Sequence, residues 1–201
     1  MKRYDCLKLL ASMLDPKVIV VANVGPISRE WNALRPSDAN LLQINLGLCA
    51  AVGLGVAISL PQRRVILLDG DGNLLLNLAS LADLANQNLK NLVHIVLDNE
   101  SYEGGGGLRS ATAGKTDLAA IARGAGVPSA EVARTLEDFE GGARRGLKEA
   151  GHHFIVAKIE QGSVANLPTL TVDGKEAKYR FARYIESSEG MQILRPRYTH
   201  L

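Results

Sequence analysis

Four short runs of aliphatic and β-branched residues constrain this chain more than any other feature. They are KVIVVA (17–22), RVILL (64–68), LVHIVL (92–97) and HFIVAKI (153–159). None alternates apolar with polar positions. A strand without alternation has to be covered on both faces, which is the condition of a parallel sheet sandwiched between helices. The segments between the runs carry helical spacing, so the predicted fold is α/β: a doubly wound, mostly parallel sheet with helices on both faces. With 46% apolar residues in 201, the chain can bury one full core.

The intervening segments read in order. Residues 5–14 fit a helix with Leu7, Leu10, Ala11 and Leu14 on one face. Asn23-Val24-Gly25-Pro26 turns the chain, Ser28 is placed to cap a short helix through Trp31 and Leu34, and Pro36-Ser37-Asp38 stops it. A helix over 46–60 is rich in small residues (Gly47, Ala50, Ala51, Gly53, Gly55, Ala57), which suits either close packing or contact with a ligand. Leu74, Leu78, Leu81 and Ala85 predict one further helix. Residues 99–116 form a glycine-rich loop of a length that is usually functional. Asp117 and Thr135 cap two more helices, the second expected to be shortened by Gly141-Gly142. Beyond 161 the periodicity fades, apart from an amphipathic segment at 178–186. The expectation is a main domain over 1–161 and an appendage over 162–201 that wraps it or contacts a partner.

A net charge of +2 and 4% aromatic residues give neither the field nor the stacking surface of a nucleic-acid binder. No apolar run is long enough for a membrane span. Asp5 and Lys8 interrupt the N-terminal apolar stretch, making it an amphipathic helix rather than a signal peptide. Cys6 and Cys49 sit in apolar contexts and read as buried thiols, which points to a reducing, cytoplasmic setting. His94 lies within a strand run and reads as structural, and His152-His153 has no cysteine or carboxylate at ligand spacing.

Two of the apolar runs end in polar clusters: Asp69-Gly70-Asp71-Gly72 and Asp98-Asn99. The 25 residues between Gly72 and Asp98 are enough for one helix and a return strand. Both clusters should then emerge at the carboxyl ends of neighbouring parallel strands, where open α/β sheets bind ligands. Mg²⁺ takes oxygen ligands, commonly one or two carboxylates with phosphates and water. Asp71 offers a carboxylate between glycines that let a diphosphate approach the backbone, Asn99 an amide oxygen, and Asn73 a position at the start of a helix where phosphate is favoured. A lone Gly-Asp-Gly is usually only a strand-to-helix turn; the second cluster one βα unit later is what turns the reading toward a cation–diphosphate site.

Gly-Asp-Gly followed by about 25 residues and Asp98-Asn99 resembles the cofactor motif of thiamine-diphosphate-dependent enzymes. VGPISRE (24–30), residues 46–78, NLVHIVLDNESYEGGGG (91–107), TDLAAIARGAGVP (116–128) and GKEAKYRFARYIE (174–186) are similar to the diphosphate-binding part of the sulfopyruvate and phosphonopyruvate decarboxylase group. The resemblance implies thiamine diphosphate and Mg²⁺ as cofactors, with Asp71, Asn99 and the carbonyl of Ser101 as metal ligands. It places Gly70, Gly72 and Asn73 at the diphosphate, Leu46 under the thiazolium, Gly47 against the aminopyrimidine, and Tyr102 beside the cofactor. Glu103 and Arg109 are the candidate catalytic residues, as acid/base and as partner of the substrate's anionic group. Leu108 stands where the group commonly has Gln, and the loop lacks the group's hydroxyl residues.

The glutamate that activates the aminopyrimidine belongs, by resemblance, to a separate pyrimidine-binding domain for which this sequence has no room. The expectation is therefore the β subunit of a split 2-oxo acid decarboxylase in a hetero-oligomer, α2β2 or higher, whose α subunit supplies that glutamate. A carboligase of the acetolactate synthase kind and a non-catalytic cofactor-binding subunit remain as alternatives.

Overall fold

The computed structural model describes residues 1–168 and 170–194. Its strands and helices alternate: α1 (Arg3–Met13), β1 (Ile19–Asn23), α2 (Pro26–Leu34), β2 (Asn40–Ile44), α3 (Cys49–Ser59), β3 (Val65–Gly70), α4 (Asp71–Leu75), α5 (Ser80–Asn86) and β4 (Asn91–Asp98). There follow a two-residue hairpin, β5 (Ser101–Tyr102) and β6 (Leu108–Arg109), then α6 (Leu118–Ala125), β7 (Ser129–Ala133), α7 (Leu136–Lys148), β8 (Gly151–Lys158) and α8 (Gly174–Glu189). Six strands form one sheet in the order β2-β1-β3-β4-β8-β7, and every pairing in it is parallel. The doubly wound α/β expectation holds. Alternate residues of each central strand feed two cores. One, with Ile19, Leu67, Leu92 and Phe154, packs under α3, α5, α6 and α8; the other, with Val20, Ile66, Val93 and Ile155, packs under α1, α2 and α7.

β1 and β3 lie side by side, yet the chain leaves β1 for α2 on one face and β3 for α4 on the other. That is the topological switch point of the sheet, where a crevice opens beyond the strand ends. The Asn23–Gly25 turn and the Gly70–Gly72 turn form its two lips.

Several local expectations change. The sheet's outermost strands, β2 and β7, were not anticipated; both are short and only partly buried, so neither carries a continuous apolar run. α2 starts at Pro26 behind Gly25, and Ser28 lies inside the helix instead of capping it. Its buried hydroxyl donates to the Asn23 carbonyl (2.6 Å) and accepts from the Gln43 N–H (2.9 Å), tying the ends of β1 and β2 together. Helix α3 begins at Cys49, leaving Leu46 and Gly47 in the preceding turn, where Gly47 has φ of +75°. Between packing and ligand contact, Gly53 settles on packing: a Cβ there would lie 1.8 Å from Leu67 Cδ2. The single helix expected from Leu74 to Ala85 is two, with Asn77 in the break donating to the Gly47 carbonyl (2.9 Å). Thr135 caps α7 in a reciprocal capping box with Asp138, but Gly141-Gly142 do not shorten the helix, which continues to Lys148.

The segment expected as an appendage contains α8, longer than the amphipathic stretch suggested. It buries Ala177, Ala182 and Ile185, and Arg63 reaches it through the Tyr184 hydroxyl (2.6 Å) and Glu189. The end of that segment, 195–201, lies outside the described residues. Cys6 and Cys49 are both buried and free; burial pushes the Cys6 thiol up to about 12 and the Cys49 thiol well above its ordinary range.

Candidate functional site

The crevice at the switch point is a cavity of about 610 Å³. Leu46, Gly70, Asp71, Gly72, Asn73, Asn99, Ser101, Tyr102 and Glu103 all line it, so the structure brings together all but two of the residues singled out in the sequence. Gly47 lies just behind the wall, its N–H held by Asn73 Oδ1 (2.7 Å). Arg109 is the exception: it is exposed on the outer strand of the hairpin, does not line the cavity, and its guanidinium donates to the Ala113 carbonyl (2.7 Å).

The carboxylates around the crevice differ in what holds them. Asp69 is fully buried and accepts from the Gly70 N–H (2.9 Å) and from Asn73 Nδ2, with His94 Nε2 3.4 Å from its other oxygen. Asp98 is matched by the Lys158 ammonium (2.8 Å), which also pairs with Glu100 (2.7 Å). Glu103 is matched by Arg3 (2.9 Å). Asp71 is different: it is buried, lines the cavity, and has no cationic partner among the described residues. Burial pushes its carboxyl above the ordinary range and Asp98 adds to this, against opposing hydrogen bonds from Ser110, the Gly72 N–H and Thr112. A buried carboxylate of this kind is a place for a cation.

Two hydroxyls hold Asp71 in position. Ser110 Oγ donates to Asp71 Oδ2, and Thr112 Oγ1 lies 3.1 Å from the same oxygen and 2.7 Å from Asp98 Oδ1. Each hydroxyl has one proton to give, so the two residues orient both carboxylates without neutralising them. Ser110 and Thr112 were not singled out from the sequence; the stretch Ser110-Ala111-Thr112 was the available signal.

Asn99 opens the 99–116 loop with its Oδ1 accepting from the Ser101 N–H (3.1 Å), which fixes the turn that places both residues on the wall. The loop is folded rather than open: the β5–β6 hairpin and two short 3₁₀ turns account for most of it. The Tyr102 ring lies so close over Gly72 that a Cβ at position 72 would sit 2.6 Å from Tyr102 Cδ1. The Asn73 side chain is held from both ends, donating one N–H to Asp69 and accepting from Gly47, which leaves its second N–H and its backbone for a diphosphate. The Glu103 carboxylate is committed too, between Arg3 and the Gly162 N–H. Burial raises its pKa, but the hydrogen bonds from Arg3 and Gly162 outweigh this and hold it below the usual range. That is unfavourable for the acid/base role expected of it.

Whether the lining suits a metal and a diphosphate can be tested on the polar atoms left over. Asn23 Oδ1 and Ser101 Oγ are buried without a hydrogen-bond partner, and both residues line this cavity. Unsatisfied buried polar atoms are costly unless something meets them. With the uncompensated Asp71 beside them, they fit a bound group that brings positive charge and hydrogen-bonding atoms. The walls otherwise are apolar, with Val24, Ile27, Leu97 and the exposed Leu46, Leu76 and Leu108.

His94, His152 and His153 do not line the cavity. His94 stacks parallel to His152 and edge-on to Phe154, and both His152 nitrogens are buried without partners. Among the described residues no cluster of three or more His, Cys, Asp or Glu side chains is arranged to hold a metal.

A parallel α/β sheet with a switch-point crevice, a glycine-lined strand end and one carboxylate without a cationic partner among the described residues has the architecture in which open α/β sheets bind ligands. The chain belongs to the thiamine pyrophosphate enzyme family, with residues 33–157 matching the family's C-terminal TPP binding domain. It is 32% identical over 192 residues to the protein named sulfopyruvate decarboxylase subunit beta from Methanocaldococcus jannaschii, a match covering 93% of this chain and 98% of that one. It is 34% identical over 183 residues to phosphonopyruvate decarboxylase from Streptomyces hygroscopicus, of which it spans 45%. Among solved structures, the fold is shared with benzoylformate decarboxylase from Polynucleobacter necessarius, with a TM-score of 0.70 and 18% identity over 82% of this chain and 34% of that one.

Proposed function

We propose that this chain is the thiamine-diphosphate-binding β subunit of a split 2-oxo acid decarboxylase acting on an anionic 3-substituted pyruvate such as sulfopyruvate or phosphonopyruvate. The observation that carries the reading is Asp71: a buried carboxylate at the switch point, facing the cavity, with no cation of its own among the described residues while Asp98 and Glu103 each have one. The Asp71 and Asn99 side chains and the Ser101 carbonyl would hold Mg²⁺, and the backbone of Gly70, Gly72 and Asn73 would meet the diphosphate at the end of β3. Leu46, Gly47 and Tyr102 complete the cofactor's surroundings. Bound thiamine diphosphate supplies the electron sink that decarboxylation of a 2-oxo acid requires.

The chain's own contribution is to bind and to exclude water. Ser110 and Thr112 fix the Asp71 carboxylate, and the apolar walls dry the cavity. The glutamate that activates the aminopyrimidine is assigned to an α subunit in a hetero-oligomer, and the setting to the cytoplasm, on the strength of two buried free thiols. Residues 1–161 serve as the cofactor-binding unit and the segment after them as its cover.

The acetolactate synthase alternative has weaker support, since its similarity covers 50% of this chain. The test is to co-purify the chain with its partner, titrate thiamine diphosphate with and without Mg²⁺ by calorimetry, and assay CO₂ release from sulfopyruvate, phosphonopyruvate and pyruvate. Mg²⁺-dependent binding with release from an anionic substrate is expected. Binding with acetolactate as the product would favour the carboligase, binding without turnover a non-catalytic subunit, and no binding would refute the site.

A further inference from the structure

Arg3, the first residue of α1, is a buried cation that none of the cofactor chemistry uses. Its guanidinium joins four separate parts of the chain. Nε and Nη2 form a bidentate pair with Glu30 of α2 (3.0 and 3.2 Å), Nη1 pairs with Glu103 (2.9 Å), and Nη2 also donates to the Gly162 carbonyl (2.9 Å) and Ser163 Oγ (3.0 Å). Glu30, itself fully buried, accepts in addition from the Val164 N–H (3.2 Å). The charge is matched within the unit: Arg3 faces two carboxylates, Glu30 and Glu103, so its cation is already compensated although the residue touches the cavity wall.

What the unit does follows from where Glu103 stands. The three residues before it, Glu100, Ser101 and Tyr102, carry the turn and the ring that packs over Gly72. The four after it, 104–107, are exposed glycines with no side chain to anchor them. Glu103 is therefore the side-chain tether at the far end of the hairpin's inner strand, as Glu100 with Lys158 is at its base, and its partner is charged, buried and pinned from the other side by Glu30. Without it, the hairpin keeps the Glu100–Lys158 pair and the Ser110–Asp71 bond at its base, but its tip is left with backbone bonds alone, the β5–β6 ladder and Gly107 N–H to the Tyr102 carbonyl (3.0 Å).

We propose that Arg3, backed by Glu30, is a positioning residue: through Glu103 it holds the 99–110 hairpin in the conformation that presents Asn99, Ser101 and Tyr102 to the cofactor. It acts at a distance, from an N-terminal helix outside the cofactor motif. The inference rests on the proposed thiamine site only for its effect on binding; its effect on the hairpin stands alone.

Two measurements on the full chain separate these. Hydrogen exchange of the Gly107 amide, and to a lesser degree of the Ser110 amide, without cofactor, should be at least about tenfold faster in Glu103→Ala, the lower end of the worth of one charge-assisted hydrogen bond, with exchange in β3 and β4 unchanged. Calorimetry of the co-purified complex should show thiamine diphosphate affinity, with Mg²⁺ present, weakened by a similar factor in Glu103→Ala and partly restored in Glu103→Gln, which keeps the hydrogen-bonding shape. Glu103 is chosen over Arg3 because removing Arg3 would leave Glu30 buried and unpaired. Unchanged hairpin exchange overturns the proposal, even where the wild-type complex binds no thiamine diphosphate. A kcat loss equal in Glu103→Ala and Glu103→Gln, with affinity unchanged, also overturns it, since that result marks a catalytic carboxyl. Failure of the wild-type complex to bind removes the site reading and leaves the exchange result to stand or fall by itself.

Discussion

Asp71 and His152 are both buried, ionisable and poorly compensated, and the difference between them is their position relative to the cavity. Replacing Asp71 by Asn keeps its shape and removes a carboxyl that burial and Asp98 disfavour as an anion. We expect Asp71→Asn to leave the melting temperature unchanged or higher, while Mg²⁺-dependent thiamine diphosphate binding falls by more than the roughly 10–100-fold that loss of an outer-shell partner costs. Calorimetry and thermal melts on the same protein check both halves; retained affinity would sink the metal assignment. His152 belongs to stability. Burial, with His94 and His153 nearby, pushes its pKa down to about 3. The unfolded chain takes up a proton near pH 6.5 that the folded chain refuses, so the contribution is fully present above that pH and is lost as pH falls from 6.5 toward 3. The slope is about 1.4 kcal/mol per pH unit within the window. Denaturant titrations at pH 7 and pH 5 should show this loss in the wild type and a smaller one in His152→Leu.

At the scale of elements, the approach of α3 to the sheet and of the hairpin to α4 each depends on a missing side chain. A methyl at position 53 would overlap Leu67, and one at position 72 would strike the Tyr102 ring. Overpacking of this sort costs about 1–3 kcal/mol, and the two sites should differ in what accompanies it. Gly53→Ala is expected to lower stability while leaving cofactor affinity largely intact. Gly72→Ala is expected to weaken thiamine diphosphate binding, because the methyl displaces the Tyr102 ring, which lines the cavity. Paired melts and titrations distinguish them. The same elements show what was legible in advance. Both polar clusters and the central strands could be read because a strand covered on two faces leaves an unbroken apolar run. β2 and β7 could not, because an edge strand such as SAEVA is half exposed and its composition is that of a loop. Ser28 looked like a helix cap because local spacing cannot reveal that Gly25 already turns the chain; its hydroxyl serves β1 and β2 instead. The roles of Ser110, Thr112 and Arg3 depend on contacts separated by 39, 41 and 100 residues, and no local pattern announces those.

For the whole molecule, the cavity is lined on its inner side by charge and hydrogen-bonding groups and at its mouth by exposed apolar side chains. Leu46, Leu76 and Leu108 are 63%, 58% and 70% exposed, and Val24 adds to them. Apolar side chains collected around one cavity mark an interaction surface, since isolated exposed leucines are scattered on an ordinary surface. Under the split-enzyme reading, the α subunit covers this rim and brings its glutamate to the cavity in one step. Leu76→Asp and Leu108→Asp should then fold normally, because substitutions at exposed positions stay within about 0.5 kcal/mol, yet each should weaken association with the partner by at least about tenfold, as expected when a charge is buried in an interface core. Association has to be measured without thiamine diphosphate, by sedimentation or by surface capture of the partner, because both leucines also line the cavity. Unaltered association in both variants would mean that the partner docks elsewhere and that another element closes the mouth. A matching loss in both, with melting temperatures preserved, would identify the rim as the surface on which the decarboxylase is assembled.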